Sequence, residues 1–273
     1  MPEGPEVRIV ANQISRVFRD GILRRIKIIA GPYQTNSSDK YESFRKSVRQ
    51  FKPMQLVRTG NHGKMMFWEL LPVSKAAVIE QKYMTIHLGM SGEFKLKSSR
   101  HDRIQFIFDL KGTKKILYFQ DQRNFGTFAL MDHDDIREKI SSMGPNIFVA
   151  EEIDFTEYFK MSHIRNQELA KAIMDQKIVA GIGNYLRAEI FYVAGVDGMK
   201  KVRNATDKDI VELYHASMSV IKEVMTARGT PNYTDLHGKS GSYNFKVYGQ
   251  EVAPNGSPVK KITLAKRTFY STS

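Results

Sequence analysis

Cysteine is absent from this chain. That excludes disulfides, thiolate chemistry and every cysteine-ligated zinc site, and it fits a reducing compartment without demanding one. No apolar run approaches the length of a membrane span. The opening residues, MPEGPEVRIV, are acidic and lack the apolar stretch of a signal peptide. A soluble, intracellular protein is therefore expected, with its compartment open. There is no internal repeat and no low-complexity tract. Negative charge is the scarcer sign: 29 Asp and Glu stand against 42 Lys and Arg, a net charge of +13. Such a surplus favours a polyanionic partner, through steering and the release of condensed counterions. It narrows the partner and leaves the activity open.

What is present describes a folded chain. Hydrophobic residues make up 41% and aromatics 11% of 273 residues, enough for two domains with separate cores. Residues 2–19 read as a helix, with Pro2, Glu3 and Glu6 in its first turn and an apolar stripe through Val7, Val10, Ile14 and Val17/Phe18. From about 22 to 131 the pattern turns to strands. Ile104, Phe106, Phe108 and Leu110 alternate with polar residues, and LVRTG, KMMFWEL, YMTIHL, EFKLK, KILYF and TFALM are further short strands. So many short strands predict a sandwich or barrel of mainly antiparallel sheet.

Around 132–156 the chain becomes acidic and turn-rich, as a linker would be. Beyond it the period becomes helical: ELAKAIMDQK, GNYLRAEIFYVAG and 207–228 are three helices. The third is capped by Thr206 and Asp209, buries Ile210, Leu213, Tyr214, Ile221, Val224 and Met225, and stops at Gly229. The last 35 residues carry six Lys/Arg against one Glu. There FKVYGQ and KKITLAKRTFYS flank a Pro-Asn-Gly-Ser-Pro turn at 254–258, a pattern that reads as a β-hairpin.

Chemistry begins at Pro2. Once Met1 is removed, which a small second residue favours, Pro2 exposes a secondary α-amine of pKa about 8, against about 10.4 for lysine. Roughly a tenth of it is unprotonated at neutral pH, without the desolvation a lysine needs. A secondary amine attacking a sugar C1′ gives an iminium that cannot discharge by losing a proton from nitrogen. That makes it an electron sink for expelling the phosphates at C3′ and C5′. Glu3, next in the chain, can protonate the sugar oxygen and shuttle protons. The stretch Pro2-Glu3-Gly4-Pro5-Glu6 is also simply a favourable helix start, with carboxylates meeting the dipole.

A second element is Val179-Ala-Gly-Ile-Gly-Asn184-Tyr-Leu-Arg-Ala-Glu-Ile190. Glycines and an Asn at a helix start let backbone N–H groups approach a phosphate closely. Alone, such a turn is equally a joint between two helices, and similar turns bind nucleic acid without catalysis.

MPEGPEV, HLGMSG at 87–92, DQRNFG at 121–126, MDQKIVAGIGNYLRAEI at 174–190 and FKVYG at 245–249 occur together and in this order. In that order they resemble the formamidopyrimidine-DNA glycosylase and endonuclease VIII family, over essentially the whole chain. GIGNYLRAEI is most similar to the endonuclease VIII-like branch. Most of the family ends in a four-cysteine zinc ribbon closing on a TFYC-type segment. Thr268-Phe269-Tyr270-Ser271 stands there instead, similar to the zincless finger of some endonuclease VIII-like enzymes.

The resemblance implies an α+β fold: an N-terminal helix plus antiparallel β-sandwich domain over 1–131, then a linker over 132–156. A helix-two-turn-helix DNA-binding domain follows over 157–241, and a zincless β-hairpin finger over 242–273. It implies a bifunctional glycosylase/lyase of base excision repair, removing oxidised bases, mainly pyrimidines, through a Schiff base on Pro2 and then β,δ-elimination. The expected partner is damaged DNA, as duplex and also as single strand or bubble. No cofactor, metal ion or membrane is expected, and the protein is expected to be a monomer.

Residue roles follow from the same resemblance. Pro2 forms the Schiff base, Glu3 acts as acid and base, and Glu6 helps to hold the N-terminal helix. Lys64 contacts phosphate and assists elimination; without the resemblance it reads as a solvated strand charge. His101 and Arg165 match backbone-contacting positions, and Lys177 and Asn184 grip phosphates beside the lesion. Met90 and Phe125 enter the base stack as apolar wedges while Arg123 faces the orphaned base, which offsets the unstacking cost of a flipped nucleotide. On residue type alone Met90 and Phe125 read as core. Arg267 is the finger arginine, with Lys266 beside it as the alternative register.

Three positions depart from the family pattern. Arg123-Asn124 replaces an Arg-Arg pair, Asn61-His62 replaces a basic pair ahead of Lys64, and Asp197-Gly198 replaces a His-Pro. They bear on affinity and lesion preference and leave Pro2 and Glu3 untouched. Two competing readings remain: a non-catalytic nucleic-acid binder, which has no need of Pro-Glu at 2–3, and a helix–hairpin–helix glycosylase with an internal lysine, which the strand-rich first 131 residues oppose.

Overall fold

The computed structural model describes residues 2–73, 80–161 and 164–272. The chain divides into two compact units. The first gathers Pro2, Glu6–Ile140 and Pro231–Gly241; the second gathers Glu3–Pro5, Ser141–Thr230 and Ser242–Ser273. Among the described residues no helix is long and apolar enough to cross a membrane.

In the first unit the apolar stripe of α1 (Gly4–Phe18) is buried through Val7, Val10, Ala11, Ile14 and Phe18. Eight strands follow: β1 (Ile22–Ile28), β2 (Met54–His62), β3 (Met65–Pro72), β4 (Lys82–His87), β5 (Gly92–Lys95), β6 (Asp102–Leu110), β7 (Thr113–Asp121) and β8 (Thr127–Met131). They form one antiparallel ladder in the order β5-β7-β6-β1-β2-β3-β4-β8. Residues far apart on that ladder meet face to face. Phe119 of β7 lies 4.7 Å from Phe128 of β8 between ring centroids, and Trp68 of β3 lies 5.5 Å from Phe94 of β5. The sheet is thus doubled over, with Trp68, Phe94, Phe106, Phe108 and Phe119 as the filling of a sandwich.

The stretch from 22 to 131 is not strand throughout. It also holds α2 (Pro32–Thr35) and α3 (Asp39–Arg49). Tyr41 and Phe44, three residues apart, are both buried, with Val48 a further turn on, so α3 packs as an amphipathic helix against the sandwich core.

The second unit has its own core, centred on Phe155, Leu169, Ile173, Ile182, Leu186, Leu213, Val220 and Val224. The segment 132–156, read as a linker, carries α4 (His133–Ser141) and the start of α5 (Glu152–Phe159). ELAKAIMDQK is helical only over α6 (Leu169–Ala172), because the chain then turns on Asp175, whose carbonyl accepts Ile178 and Val179 N–H. α7 (Asn184–Ala194) ends on Gly195 at φ 65°. α8 (Asp207–Thr226) starts with a capping box in which Thr206 and Asp209 bond reciprocally.

Two segments sit differently from the sequence reading. Residues 231–241, assigned to the helical domain, cluster with the first unit: Lys95 Nζ donates to Thr234 O and Asp235 O at 2.8 Å, and Gln13 Nε2 donates to Asp235 at 2.9 Å. The hairpin also lies elsewhere. β9 (Lys260–Leu264) and β10 (Arg267–Ser271) pair with each other around Ala265-Lys266, so both strands come from KKITLAKRTFYS. FKVYGQ forms no strand, because its N–H groups are spent on Glu189. The Glu189 carboxylate, fully buried, accepts Lys246, Val247 and Tyr248 N–H at 2.8, 3.0 and 2.9 Å and the Tyr243 hydroxyl at 2.8 Å.

Candidate active site

Within the first unit, Pro2 is buried and lines a cavity of about 240 Å³. Met90, Glu93, His101, Gln120 and Tyr233 share its wall. Of the residues singled out from sequence, the cavity brings together Pro2, Met90 and His101. Glu93, Gln120 and Tyr233 had carried no signal as isolated side chains. Glu93 is held by Lys95 and by the Thr234 hydroxyl, each at 2.7 Å. Gln120 donates to Lys97 O and Asp102 at 2.8 and 2.9 Å. The Tyr233 hydroxyl is buried with no hydrogen-bond partner among the described residues. Burial, with Glu93, Glu6 and Asp235 around it, pushes that hydroxyl well above its ordinary pKa, so it stays protonated. Glu6 itself is fully buried on the first turn of α1.

Lys64 stands in the two-residue turn joining β2 to β3, after Gly63 at φ 55°. Asn61 explains one departure from the family pattern: buried, it donates to Gly63 O at 2.7 Å and fixes the turn that presents Lys64.

Met90, Arg123 and Phe125 are brought into one exposed group. Met90 and Phe125 are 42% and 50% exposed, so neither is the core residue that residue type alone implied. The Arg123 guanidinium lies 5.1 Å from the centroid of the Phe125 ring. Asn124, the second departure, sits at φ 59°, a conformation Asn tolerates better than most residues, and accepts Arg103 Nε at 2.6 Å.

The second unit collects Glu3, Asn184 and Arg267. Glu3 is buried, and its two oxygens accept Tyr185 N–H at 3.0 Å and Leu186 N–H at 3.3 Å, at the N-terminus of α7. These are charge-assisted bonds at the positive end of a helix dipole. Gly183 makes room for them, since a Cβ there would lie 2.3 Å from the Glu3 carboxyl carbon. Asn184 donates to Thr268 O at 3.0 Å, tying the start of α7 to β10.

Arg187, buried on the same helix, donates to Asn184 at 2.6 Å and to Thr268 O at 3.2 Å, while its buried Nε has no partner among the described residues. Burial and the neighbouring Arg267 lower its pKa to about 10, and Glu3 opposes the shift. Arg267, at the start of β10, is therefore a cation felt at this helix start. Lys266 sits in the turn itself, where both it and Ala265 have positive φ. Phe269 is fully buried, its ring 4.9 Å from the Arg187 guanidinium. Gly198, the third departure, leaves space for that ring: a Cβ would lie 2.6 Å from it.

Two further expected contacts also belong to the second unit. Lys177 is exposed in the turn after α6. Arg165 lines a separate cavity of about 230 Å³ in the second unit, with Lys160 and Arg203. Arg187 and Glu189 escaped the sequence reading, although a buried Arg and Glu within an otherwise apolar helix were the available signal.

Comparison with known proteins matches residues 1–128 to the formamidopyrimidine-DNA glycosylase N-terminal domain and residues 143–234 to the H2TH domain of the same enzymes. The formamidopyrimidine-DNA glycosylase of Chloroflexus aurantiacus is 27% identical, over 99% of this chain and 95% of its own. That of Prochlorococcus marinus strain NATL2A is 28% identical, over 91% and 88%. Among solved structures, the MutM (Fpg) protein of Thermus thermophilus superposes with a TM-score of 0.79 at 23% identity, covering 99% of this chain and 97% of that one. Lactococcus lactis Fpg bound to DNA containing an oxidised pyrimidine also gives 0.79, at 20% identity over 99% and 97%.

Proposed function

The chain belongs to the formamidopyrimidine-DNA glycosylase family, and on that premise we propose that it excises oxidised pyrimidines from DNA and then cleaves the abasic strand, with the Pro2 amine as nucleophile. The observation that carries this reading is Pro2 itself, buried yet lining a polar cavity of about 240 Å³. A pure nucleic-acid binder has no use for a proline at position 2 on the wall of a cavity.

In the proposed reaction the Pro2 nitrogen attacks C1′ of the damaged nucleotide. The glycosidic bond breaks, and the base leaves with its electron pair and takes a proton from water. The proton lost by the attacking amine passes through Glu3 to O4′, so the ring opens and an iminium joins Pro2 to C1′. Glu3 suits this step, because a carboxylate held by two N–H groups accepts a proton before it gives one. Loss of a C2′ proton expels the 3′-phosphate, and loss of a C4′ proton expels the 5′-phosphate. Water then releases the sugar fragment and frees Pro2. Lys64 serves these eliminations from its hairpin turn.

Binding falls to the remaining groups. Lys177, Asn184, Arg267 and the exposed Arg165 take phosphates, and His101 takes the backbone from the cavity wall. Met90, Arg123 and Phe125 fill the space left by the flipped nucleotide. The finger is the zincless form, its hairpin resting on Phe269 and on the contact between Tyr248 and Tyr270, 5.1 Å between ring centroids. The protein acts as a monomer on duplex DNA and on single-stranded or bubble DNA.

The test is an N-terminal extension that leaves Met1 in place. Excision of an oxidised pyrimidine should fall nearly to background, because the amine no longer exists. Full activity with Met1 demonstrably retained would overturn the mechanism.

A further inference from the structure

The loop that bears Met90 and the loop that bears Arg123 and Phe125 are separate in sequence, and one hydroxyl joins them. Ser91 Oγ donates to Asp121 Oδ1 at 2.6 Å and accepts the backbone N–H of Arg123 at 2.9 Å. Asp121, fully buried, also accepts Gly126 N–H at 2.8 Å and the Tyr33 hydroxyl at 3.1 Å through Oδ2. The Tyr33 hydroxyl lies 3.1 Å from Gly126 O as well, and burial with Asp121 alongside pushes its pKa up. Both ends of the 122–126 loop are therefore fastened to one carboxylate, and the Met90 loop is fastened to the same carboxylate through Ser91.

A second contact leads to the same joint. Gly89, at φ 64°, lies so close to the other loop that a Cβ would come within 2.7 Å of the Phe125 carbonyl carbon. Any side chain there would force the two loops apart.

We propose that Ser91, held by Asp121, is a positioning residue that makes the Met90 wedge and the Arg123 probe move as one body, so that the base opposite the lesion influences the wedge on the lesion strand. The proposal rests on the wedge and probe roles given above. Arg123 senses the unpaired base through its side chain, while its own N–H is bonded to the residue next to Met90. A misfit at the opposite base displaces the Arg123 backbone, and the Ser91 hydroxyl carries that displacement to Met90. Asp121 supplies the fixed end, since a buried carboxylate with three donors has no second place to go.

The experiment measures single-turnover excision of one lesion placed opposite each of the four bases. Ser91→Ala should reduce the spread among the four rates at least threefold, and Ser91→Thr, which keeps the hydroxyl, should restore it. Met90→Ala and Arg123→Ala should be non-additive in the parent enzyme by at least threefold and additive in the Ser91→Ala background. A melting scan of each variant identifies loss of fold. A fluorescent base analogue opposite the lesion reports insertion directly, and Met90→Ala should change its emission. Unchanged opposite-base ratios in Ser91→Ala, with Met90→Ala still altering the emission, would overturn the coupling and leave the wedge roles standing. Unaltered emission in both Met90→Ala and Arg123→Ala would overturn the wedge roles and the coupling with them.

Discussion

Glu3 Oε1 accepts the backbone N–H of Tyr185 at 3.0 Å, so a residue at the start of the chain is held by the first turn of α7, more than 180 residues away. The glycine-rich turn ahead of that helix thereby becomes the seat of a carboxylate from the chain's first residues. Gly183 is the space in which the Glu3 carboxylate lies.

Gly183→Ala should therefore behave as a mutation of Glu3. The added methyl meets the carboxyl group at 2.3 Å, and the carboxylate must leave the Tyr185 and Leu186 N–H groups. Single-turnover base excision should fall at least tenfold, and the melting temperature should fall with it, because a buried carboxylate and two N–H groups lose their partners. Glu3→Gln should depress excision by orders of magnitude while nicking of a preformed abasic site suffers less. Equal loss in the two assays would remove the separate glycosidic role from Glu3.

Glu189 offers a test of stability. It satisfies three backbone N–H groups and a tyrosine hydroxyl in a buried place. Glu189→Gln turns an amide NH₂ toward some of those donors and should cost on the order of 3 kcal/mol in urea unfolding. A cost below about 1 kcal/mol would mean that the 243–248 segment is held by its aromatic contacts alone.

Tyr233→Phe should have the opposite sign. Its hydroxyl is buried without a partner, a state that costs about 1–3 kcal/mol, so its removal should leave the melting temperature unchanged or raise it. The relative rates on lesions that differ in their ring oxygens should shift, because Tyr233 is one of the residues that line the Pro2 cavity. A clear fall in stability would show that the hydroxyl is bonded after all.

Much of this architecture was legible locally. Ile104, Phe106 and Phe108 alternate and are all buried, and Thr206 with Asp209 announced the start of α8. The failures share a cause. FKVYGQ has the composition of a strand, but its N–H groups answer to Glu189, more than 55 residues away, which no local pattern displays. Residues 231–241 follow α8 directly in sequence, yet Lys95 and Gln13 hold them. α3 was the exception, since Tyr41, Phe44 and Val48 already carried a helical period inside a region read as strand.

For the proposed zincless finger, chelation is the simple test. β9 and β10 are held by their ladder, by Phe269 and by the Tyr248–Tyr270 contact. A chelator should leave melting temperature and excision unchanged, whereas a zinc-dependent finger loses much of its folding energy with the ion. Activity lost on chelation and recovered with zinc would contradict this.

Borohydride trapping on DNA with an abasic site, followed by peptide mapping of the adduct, tests the role of Pro2 most directly. The account predicts a covalent complex in high yield, with the sugar fragment on the Pro2 nitrogen of protein lacking Met1. An adduct on Lys64 or any other lysine, in protein with a free Pro2, would contradict it.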